Sequence, residues 1–204
     1  MKLLLFFSSL VSFFGFGQNA IDNIEGIRNE YKKIETLLNK LELEQKEITY
    51  TCEGERINGT LIFYYKDHDL RLITHSFDQG HYSTLDSYYI HKTNLFFSLR
   101  EESVQNDKPV YDKNTEALLA IDEDWSITEL RTYISKEKAI KCLSKHYDNK
   151  DVTVDIKEKH TDPSAYFENK EILCDIENTK EILNRYAQLI KFQKTDVENI
   201  CLLH

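Results

Sequence analysis

Apolar residues in the first quarter of the chain recur at alternating intervals of three and four positions. That spacing places them on one side of an α-helix, while the charged residues between them fall on the other side. The apolar stripe consists of Ile24, Ile27, Tyr31, Ile34, Leu38 and Leu41. Because fewer than four heptads are present, packing against the protein's own sheet is favoured over a coiled coil. We therefore predict an amphipathic helix over residues 20–45.

After residue 47 the apolar positions recur with a period of two. As far as residue 102 the chain is rich in Tyr, Phe, Thr, Ile and Leu, which alternate with polar residues as they do in β-strands. The predicted strands lie near residues 48–52, 57–65, 70–77, 82–90 and 95–101. Short polar segments connect them, which predicts an antiparallel meander.

An internal repeat extends this predicted hairpin sheet over residues 47–144. Each copy has a Tyr, a large residue, four polar residues and an apolar residue, and the copies begin at Tyr64, Tyr89 and Tyr133. We predict a hairpin with a four-residue loop in each copy. Residues 136–147 of the third copy also fit a helix, but the repeat favours the hairpin.

Following the strands through these loops separates two faces of the sheet. The predicted core face comprises Leu61, Phe63, Tyr65, Leu70, Leu72, Tyr88, Ile90, Leu95, Phe97, Leu99, Leu130, Ile134, Ala139 and Leu143. The opposite face is half polar and carries Ile73 and seven candidate partner-surface residues: Tyr64, Arg71, His75, Tyr89, Arg100, Arg131 and Tyr133. Tyr and Arg are typical interface anchors because they combine a large contact area with polar ends. The alternative is that a helix covers this face.

The remaining segments complete the predicted architecture of a single domain over residues 18–204. Residues 103–124 form an insertion with one helical turn near 116–120, and residues 152–156 form a further edge strand. Asp162-Pro163 is typical of a helix start, so 162–203 is predicted as a helical part, either one helix or two with a break near Asp175. The fold class is α+β: a meander of five to eight antiparallel strands, with long N- and C-terminal helices packed against one face.

The first 17 residues are typical of a secretory signal peptide. Lys2 precedes an uncharged and mostly apolar run, and Gly15-Phe16-Gly17 offers a cleavage site before Gln18. A membrane anchor is the alternative, but polarity returns before the roughly 20 apolar residues of a spanning helix are reached. We expect an exported protein, periplasmic or secreted, that does not span a membrane after cleavage.

If the protein is exported, its four cysteines lie in an oxidising compartment. They are Cys52, Cys142, Cys174 and Cys201. Disulfides persist in an oxidising compartment, so all four are disulfide candidates. Four cysteines allow three pairings, and the sequence does not choose among them or against four reduced thiols. Their spacing fits no zinc motif.

Composition and charge narrow the classes of function. A chain of 204 residues that is 41% hydrophobic has enough apolar residues to bury a core, which excludes intrinsic disorder. Its formal net charge of −9 argues against nucleic acid as a partner, because phosphate binding needs a positive surface. We expect an unknown protein or small-molecule ligand instead.

Motifs for catalysis or cofactors are missing from the sequence. It contains no Gly-rich phosphate loop, GxSxG, HExxH or Cys/His nucleophile signature, so we predict no cofactor and no metal. The densest titratable group comprises Asp67, His68, Asp69, His75, Asp78, His81 and His91. A hydrolytic or metal-dependent enzyme would need His75, His81 and a carboxylate in one cleft. Solvated turn and strand histidines are the favoured interpretation.

The hairpins resemble those of a family of short, uncharacterised exported bacterial proteins. The resemblance rests on YYKDHDLRLI (64–73), YYIHKTNLFFSL (88–99) and TYISKEKAIKCL (132–143), and covers residues 20–145. The Asn-Gly turns common in that family are missing from all three copies. The resemblance implies export and no established activity. We therefore expect a non-catalytic protein that binds a ligand or partner through one sheet face, with an enzyme or a structural, inhibitor-like envelope protein as alternatives.

Overall fold

The computed structural model describes residues 21–54, 56–112, 115, 118–122, 124–152, 163–193 and 200–203. The predicted signal peptide, the start of the predicted N-terminal helix and most of the predicted strand at 152–156 lie outside these residues. The helices are α1 (Ile24–Asn39) and α2 (Ile176–Phe192). The strands are β1 (Glu44–Cys52), β2 (Ile57–Lys66), β3 (Asp69–Gln79), β4 (Tyr82–His91), β5 (Asn94–Gln105), β6 (Lys108–Tyr111), β7 (Leu118–Asp122), β8 (Trp125–Ser135), β9 (Lys138–Asp148) and β10 (Lys170–Ile172).

The predicted α+β class with an antiparallel meander is confirmed. Within the described residues, eight strands form one sheet in the order β1-β2-β3-β4-β5-β8-β9-β10, and β6 pairs with β7 in a separate ribbon. Almost every strand lies beside its neighbour in sequence, as short connections require. The third repeat is the β8–β9 hairpin rather than a helix. No helix in the described part of the chain is long and apolar enough to cross a membrane.

Helix α1 is shorter than predicted at its C-terminal end. The side chain of Asn23 caps the start by accepting a hydrogen bond from the Gly26 amide at 2.8 Å. At the other end Leu41 adopts φ 57°, and the Glu42 amide donates to the Leu37 carbonyl at 2.9 Å. This left-handed cap reverses the chain. The prediction that the helix continues to residue 45 is therefore wrong, and β1 begins at Glu44.

The three repeated hairpins have two-residue turns instead of the predicted four-residue loops. Lys66 pairs with Asp69 across Asp67 and His68, whose φ values are 52° and 68°. Positive φ at both central residues gives the turn the twist that suits a hairpin. The β8–β9 turn has the same form, and Lys92 in the β4–β5 turn is also left-handed.

A β-bulge follows each turn and corrects the predicted faces. Tyr65 pairs with Leu70 as expected, but Tyr64 pairs with Leu72, so Arg71 is an additional residue in β3. The equivalent additional residues are Phe96 and Ile140. One inserted residue moves every later side chain to the other face. Consequently Leu72, Phe97, Leu99 and Leu143, predicted beside Tyr65, lie beside Tyr64, Tyr89 and Tyr133.

Each face of the sheet has its own helix and its own core, so the prediction that both helices pack against one face is wrong. Helix α1 contributes Ile27 and Ile34 to a buried cluster on the first face; the sheet members of that cluster include Tyr64, Leu72, Tyr89, Phe96, Phe97, Leu99, Tyr133 and Leu143. Helix α2 contributes Ile182 and Leu189 to the second face; its sheet members include Tyr50, Leu61, Phe63, Ile73, Tyr88, Ile90, Leu95 and Ile134. We call these the α1 face and the α2 face.

Disulfides attach the segments on both sides of α2 to the sheet. Cys142 of β9 is bonded to Cys174, two residues before the helix, and Cys52 of β1 is bonded to Cys201. The Cα atoms are 5.3 and 5.8 Å apart, within the usual range. The two bonds therefore join segments on both sides of α2 to the sheet, in addition to the packing of Ile182 and Leu189.

The C-terminal part and the insertion contain less helix than predicted. Residues 163–166 form only a 3-10 turn, β10 follows, and α2 begins after Asp175, whose side chain accepts a hydrogen bond from the Glu177 amide at 2.9 Å. The helix predicted from residue 162 is therefore wrong, both as one helix and as two helices with a break near Asp175, because the segment before Ile176 is a 3-10 turn followed by a strand. In the insertion, β7 begins at Leu118, where a helical turn was predicted, because strand pairing with β6 satisfies its backbone.

Candidate functional site

The predicted row of exposed aromatic residues is buried by α1. Tyr64, Tyr89 and Tyr133 are each less than a tenth exposed. Tyr31 of α1 packs on Tyr89 with ring centroids 4.9 Å apart, and the Tyr89 hydroxyl donates to Glu35 at 2.9 Å. The prediction that these three tyrosines form an open partner surface is therefore wrong, because the apolar stripe of α1 covers them.

Two of the candidate arginines lie on the same face and form ion pairs at the border of this core. Arg71 is 3.8 Å from Glu30 of α1 and 3.4 Å from Asp69. Arg131 is 2.7 Å from Glu129, which is also 3.3 Å from Lys145. Since Glu129 and Lys145 are both buried, removing either one would leave an uncompensated buried charge, and the pair leaves little of either charge for a partner.

The remaining two candidates, His75 and Arg100, lie on the α2 face in one row across the sheet. His75 is completely buried, and its Nε2 is 2.6 Å from the Tyr50 hydroxyl. It pairs across the strands with Asp86, whose two carboxylate oxygens accept hydrogen bonds from Arg100 at 2.7 and 3.1 Å. Arg185 of α2 approaches the same carboxylate at 3.8 Å.

This row differs from a catalytic arrangement because it is closed. Asp86 is about 1% exposed, and burial raises the pKa of Tyr50 far above its usual value, so this hydroxyl keeps its proton. Tyr50 with His75 and Asp86 with Arg100 are therefore two hydrogen-bonded pairs in one row on the face that α2 covers, as is typical of internal polar contacts.

The histidines of the enzyme hypothesis lie in different environments. His75 is buried within β3, whereas His81 is exposed in the turn that follows this strand. The four residues from His75 to the end of β3 at Gln79 already span about 13 Å, more than ligands of one metal ion tolerate. His91 lies at the opposite end of the sheet, 3.0 Å from Glu30. In the part of the chain that the structure describes, no three His, Cys, Asp or Glu side chains are grouped to hold a metal.

The accessible surface is the half of the α1 face that α1 leaves uncovered. There β1, β2 and β3 present alternate side chains from two rows, Thr49–Thr60–Ser76 and Thr51–Asn58–Asp78. These six side chains surround a shallow depression of about 440 Å³ above the backbone of Gly59. We call this surface the hydroxyl face.

Hydrogen-bonding groups on the hydroxyl face include both donors and acceptors. The Thr51 hydroxyl donates to the side-chain oxygen Oδ1 of Asn58 at 3.0 Å, which leaves the side-chain amide hydrogens of Asn58 directed away from Thr51. Ser76 makes a long contact of 3.5 Å to the Thr60 carbonyl. The depression has one carboxylate, Asp78, and no lysine or arginine among its lining residues. Its electrostatic character is therefore neutral to weakly acidic.

An aromatic group closes the same face at its β8–β9 end. Tyr147 stacks on Phe167 with ring centroids 4.6 Å apart and meets the edge of Trp125 at 6.3 Å. Ser83 of β4 and Ser103 of β5 pair across the strands between this group and the hydroxyl face. Trp125 is partly exposed, so polar and aromatic surfaces lie along one continuous face.

The hydroxyl face is missing from the sequence-based candidates, although a signal for it exists. Within residues 48–52 of β1 and 57–61 of β2 the polar members of the alternation are Thr and Asn, while the exposed positions of α1 include Glu25, Arg28, Lys32 and Lys33. Short uncharged side chains on a solvated strand face are a weak indication of a contact surface.

No protein family matches the chain, and neither the curated proteins nor the solved structures gave a match.

Proposed function

We propose that this protein is an exported, non-catalytic binding protein and that its hydroxyl face binds a neutral glycan. The proposal moves the binding surface from the aromatic row beneath α1 to the uncovered half of the same sheet face. A ligand with many hydroxyl groups matches a surface that offers both donors and acceptors but little charge.

The observation that carries this proposal is the arrangement of Thr49, Thr60 and Ser76 in one row across three strands. Adjacent strands are about 4.8 Å apart, a distance similar to the length of one sugar ring. Hydroxyls fixed on strands are held more rigidly than those on loops, which lowers the entropic cost of binding. Partly exposed Trp125, further along the face, supplies the apolar surface on which a sugar ring packs.

Charge supports a neutral ligand over an anionic one. The depression has Asp78 and no cation, and the chain has a net charge of −9. A phosphate or sulfate group would therefore meet repulsion at this surface.

The disulfides support export. Cys52–Cys201 and Cys142–Cys174 use all four cysteines of the sequence. Such bonds persist in the periplasm and outside the cell and are rare in reducing compartments. A periplasmic or secreted location agrees with the predicted signal peptide and with a glycan as ligand.

The test measures, by calorimetry, binding of the protein to a panel of neutral oligosaccharides: cello-, xylo-, chito- and maltohexaose. Thr49→Val and Thr60→Val remove hydroxyls from the hydroxyl face while keeping the shape and strand preference of the side chain. Thr84→Val on the α2 face is the matched control, since Thr84 pairs with Phe77. We expect each hydroxyl-face variant to bind about 5- to 10-fold more weakly, from the loss of roughly 1 kcal/mol per hydrogen bond. Failure of every sugar to bind, or equal effects of all three variants, contradicts the proposal.

A further inference from the structure

A second groove lies at the opposite end of the sheet, where its hairpin turns meet both helices. It has a volume of about 920 Å³ and runs between the residues that lead into α1, the β4–β5 and β8–β9 turns, and α2. This volume is within the range of small-molecule sites. The groove shares no lining residue with the hydroxyl face, so it is an independent site.

The apolar residues of this groove are concentrated on its floor and on one wall. Leu95 and Ile134 form the floor, and Leu183, Tyr186 and Ala187 of α2 form one wall. The wall residues are partly or fully exposed, so they remain available to a ligand. The Tyr186 hydroxyl donates to the Thr93 carbonyl at 3.0 Å, which fixes the wall to the β4–β5 turn.

Lysines surround the rim. Lys92 and Lys136 occupy the two turns, and Lys180 lies on α2. Lys136 is 3.4 Å from Asp22, and Lys180 is 2.7 Å from Glu177. Among the ion pairs of the described residues, Lys92 has no partner.

The turn lysines have unfavourable backbone conformations. Lys92 and Lys136 have φ values of 61° and 50°, where Asn or Gly is the favoured residue. In the β2–β3 turn, which does not line the groove, the equivalent position holds Asp67. The two turns that border the groove thus carry cations where the third carries an anion, in a protein that is acidic overall.

We propose that this groove binds a single-chain amphipathic anion of the fatty-acid class. The acyl chain lies along Leu95, Ile134 and the α2 wall, and the carboxylate lies beside Lys92. Asp22 and Glu137 also line the rim, so charge preference at the site depends on the lysines.

The test compares decanoate with decylammonium, which have the same chain and opposite charges. Calorimetry uses the full disulfide-bonded protein at concentrations below those at which the ligands form micelles. We expect saturable 1:1 binding of decanoate and at least about fivefold weaker binding of decylammonium. Equal affinities, tighter binding of decylammonium, or no binding of decanoate overturns the proposal.

Variants locate the ligand. Lys92→Gln is expected to weaken decanoate binding about two- to fivefold, which is the effect of one exposed charge. The same variant is not expected to weaken decylammonium binding. Ala187→Phe fills the groove from the exposed surface of α2 and is expected to weaken decanoate binding at least about tenfold. Lys138→Gln, outside the lining, is the matched control.

A thermal melt of each variant separates loss of binding from loss of folding. If Ala187→Phe unfolds, the ligand is located by NMR on the unmodified protein instead. Decanoate is then expected to broaden the Leu183 methyl resonances selectively. Unchanged affinity in Lys92→Gln and Ala187→Phe, or an equal loss in Lys138→Gln, overturns the assignment of this groove.

Discussion

The Tyr50 hydroxyl lies 2.6 Å from Nε2 of His75, and the two residues come from β1 and β3, with β2 between them. Tyr50 reaches His75 by lying over Gly59 of the intervening strand. A Cβ atom at Gly59 would overlap the Tyr50 ring. The missing side chain on β2 is therefore what allows this hydrogen bond to form across it.

Replacing this glycine tests that relationship. Gly59→Ala is expected to displace the Tyr50 ring and lower the free energy of unfolding by about 2 to 4 kcal/mol, from overpacking and a lost buried hydrogen bond. Urea denaturation measures the change. Gly54→Ala is the control because no atom lies within 4 Å of its added Cβ. Equal stability of the two variants contradicts the close approach.

Asp86 is expected to be the most sensitive polar residue of the α2 face. Asp86 is buried and accepts two hydrogen bonds from the partly exposed Arg100, so Asp86→Asn removes the main counter-charge of that guanidinium and leaves only its 3.9 Å contacts to Glu102 and Glu181. We predict a loss of about 3 to 5 kcal/mol in the free energy of unfolding. Asp69→Asn, which changes an exposed partner of Arg71, should cost less than about 1 kcal/mol. Similar losses in both variants contradict the importance of burial.

The disulfides are expected to hold α2 on the sheet. Their sequence separations are 149 and 32 residues, so each closes a loop worth about 3 to 5 kcal/mol of unfolded-state entropy. Non-reducing peptide mapping should recover Cys52 with Cys201 and Cys142 with Cys174. Cys142→Ser/Cys174→Ser should lower the melting temperature and increase hydrogen exchange in α2 more than in β3. A different pairing, or unchanged exchange, contradicts this account.

Stability is expected to fall at alkaline pH because of buried tyrosines. Burial raises the pKa of Tyr186 to about 12. An unfolded tyrosine ionises near pH 10, so its contribution to stability is complete below pH 10 and is lost as the pH rises towards 12. Between pH 10 and 12 the unfolding free energy of Tyr186→Phe should therefore fall by about 1 kcal/mol less than that of the unmodified protein. This figure allows for solvent screening of the half-buried Tyr186 ring. An unchanged slope contradicts the assignment.

The hairpins show what alternation in the sequence predicts well. Pairs such as Tyr65 with Leu70 follow from the repeat alone, and so does the meander order. The bulge at Arg71 does not follow, because an inserted residue leaves the local alternation of the next strand intact while reversing its faces. Two faces that both carry apolar residues then look equally suitable as core.

Coverage by helices explains why the candidate site was only partly predictable. An apolar stripe on α1 predicts that it packs on the sheet, but the sequence does not say where along the strands it lies. In the structure it covers Tyr89 and leaves Thr60 accessible. The large aromatic residues that resemble interface anchors are core for this reason, and the small polar residues beyond the helix form the open surface.

Binding of a neutral glycan by the hydroxyl face, and by no other part of the sheet, can be followed residue by residue. Its most direct test is a titration of the isotope-labelled protein with the panel hexaoses, followed through amide and Thr methyl resonances. We predict that the largest shifts occur at Thr49, Thr60 and Ser76, with small shifts at Thr84 on the α2 face. Shifts centred on the α2 face, or no saturable shift with any of the sugars, would contradict it.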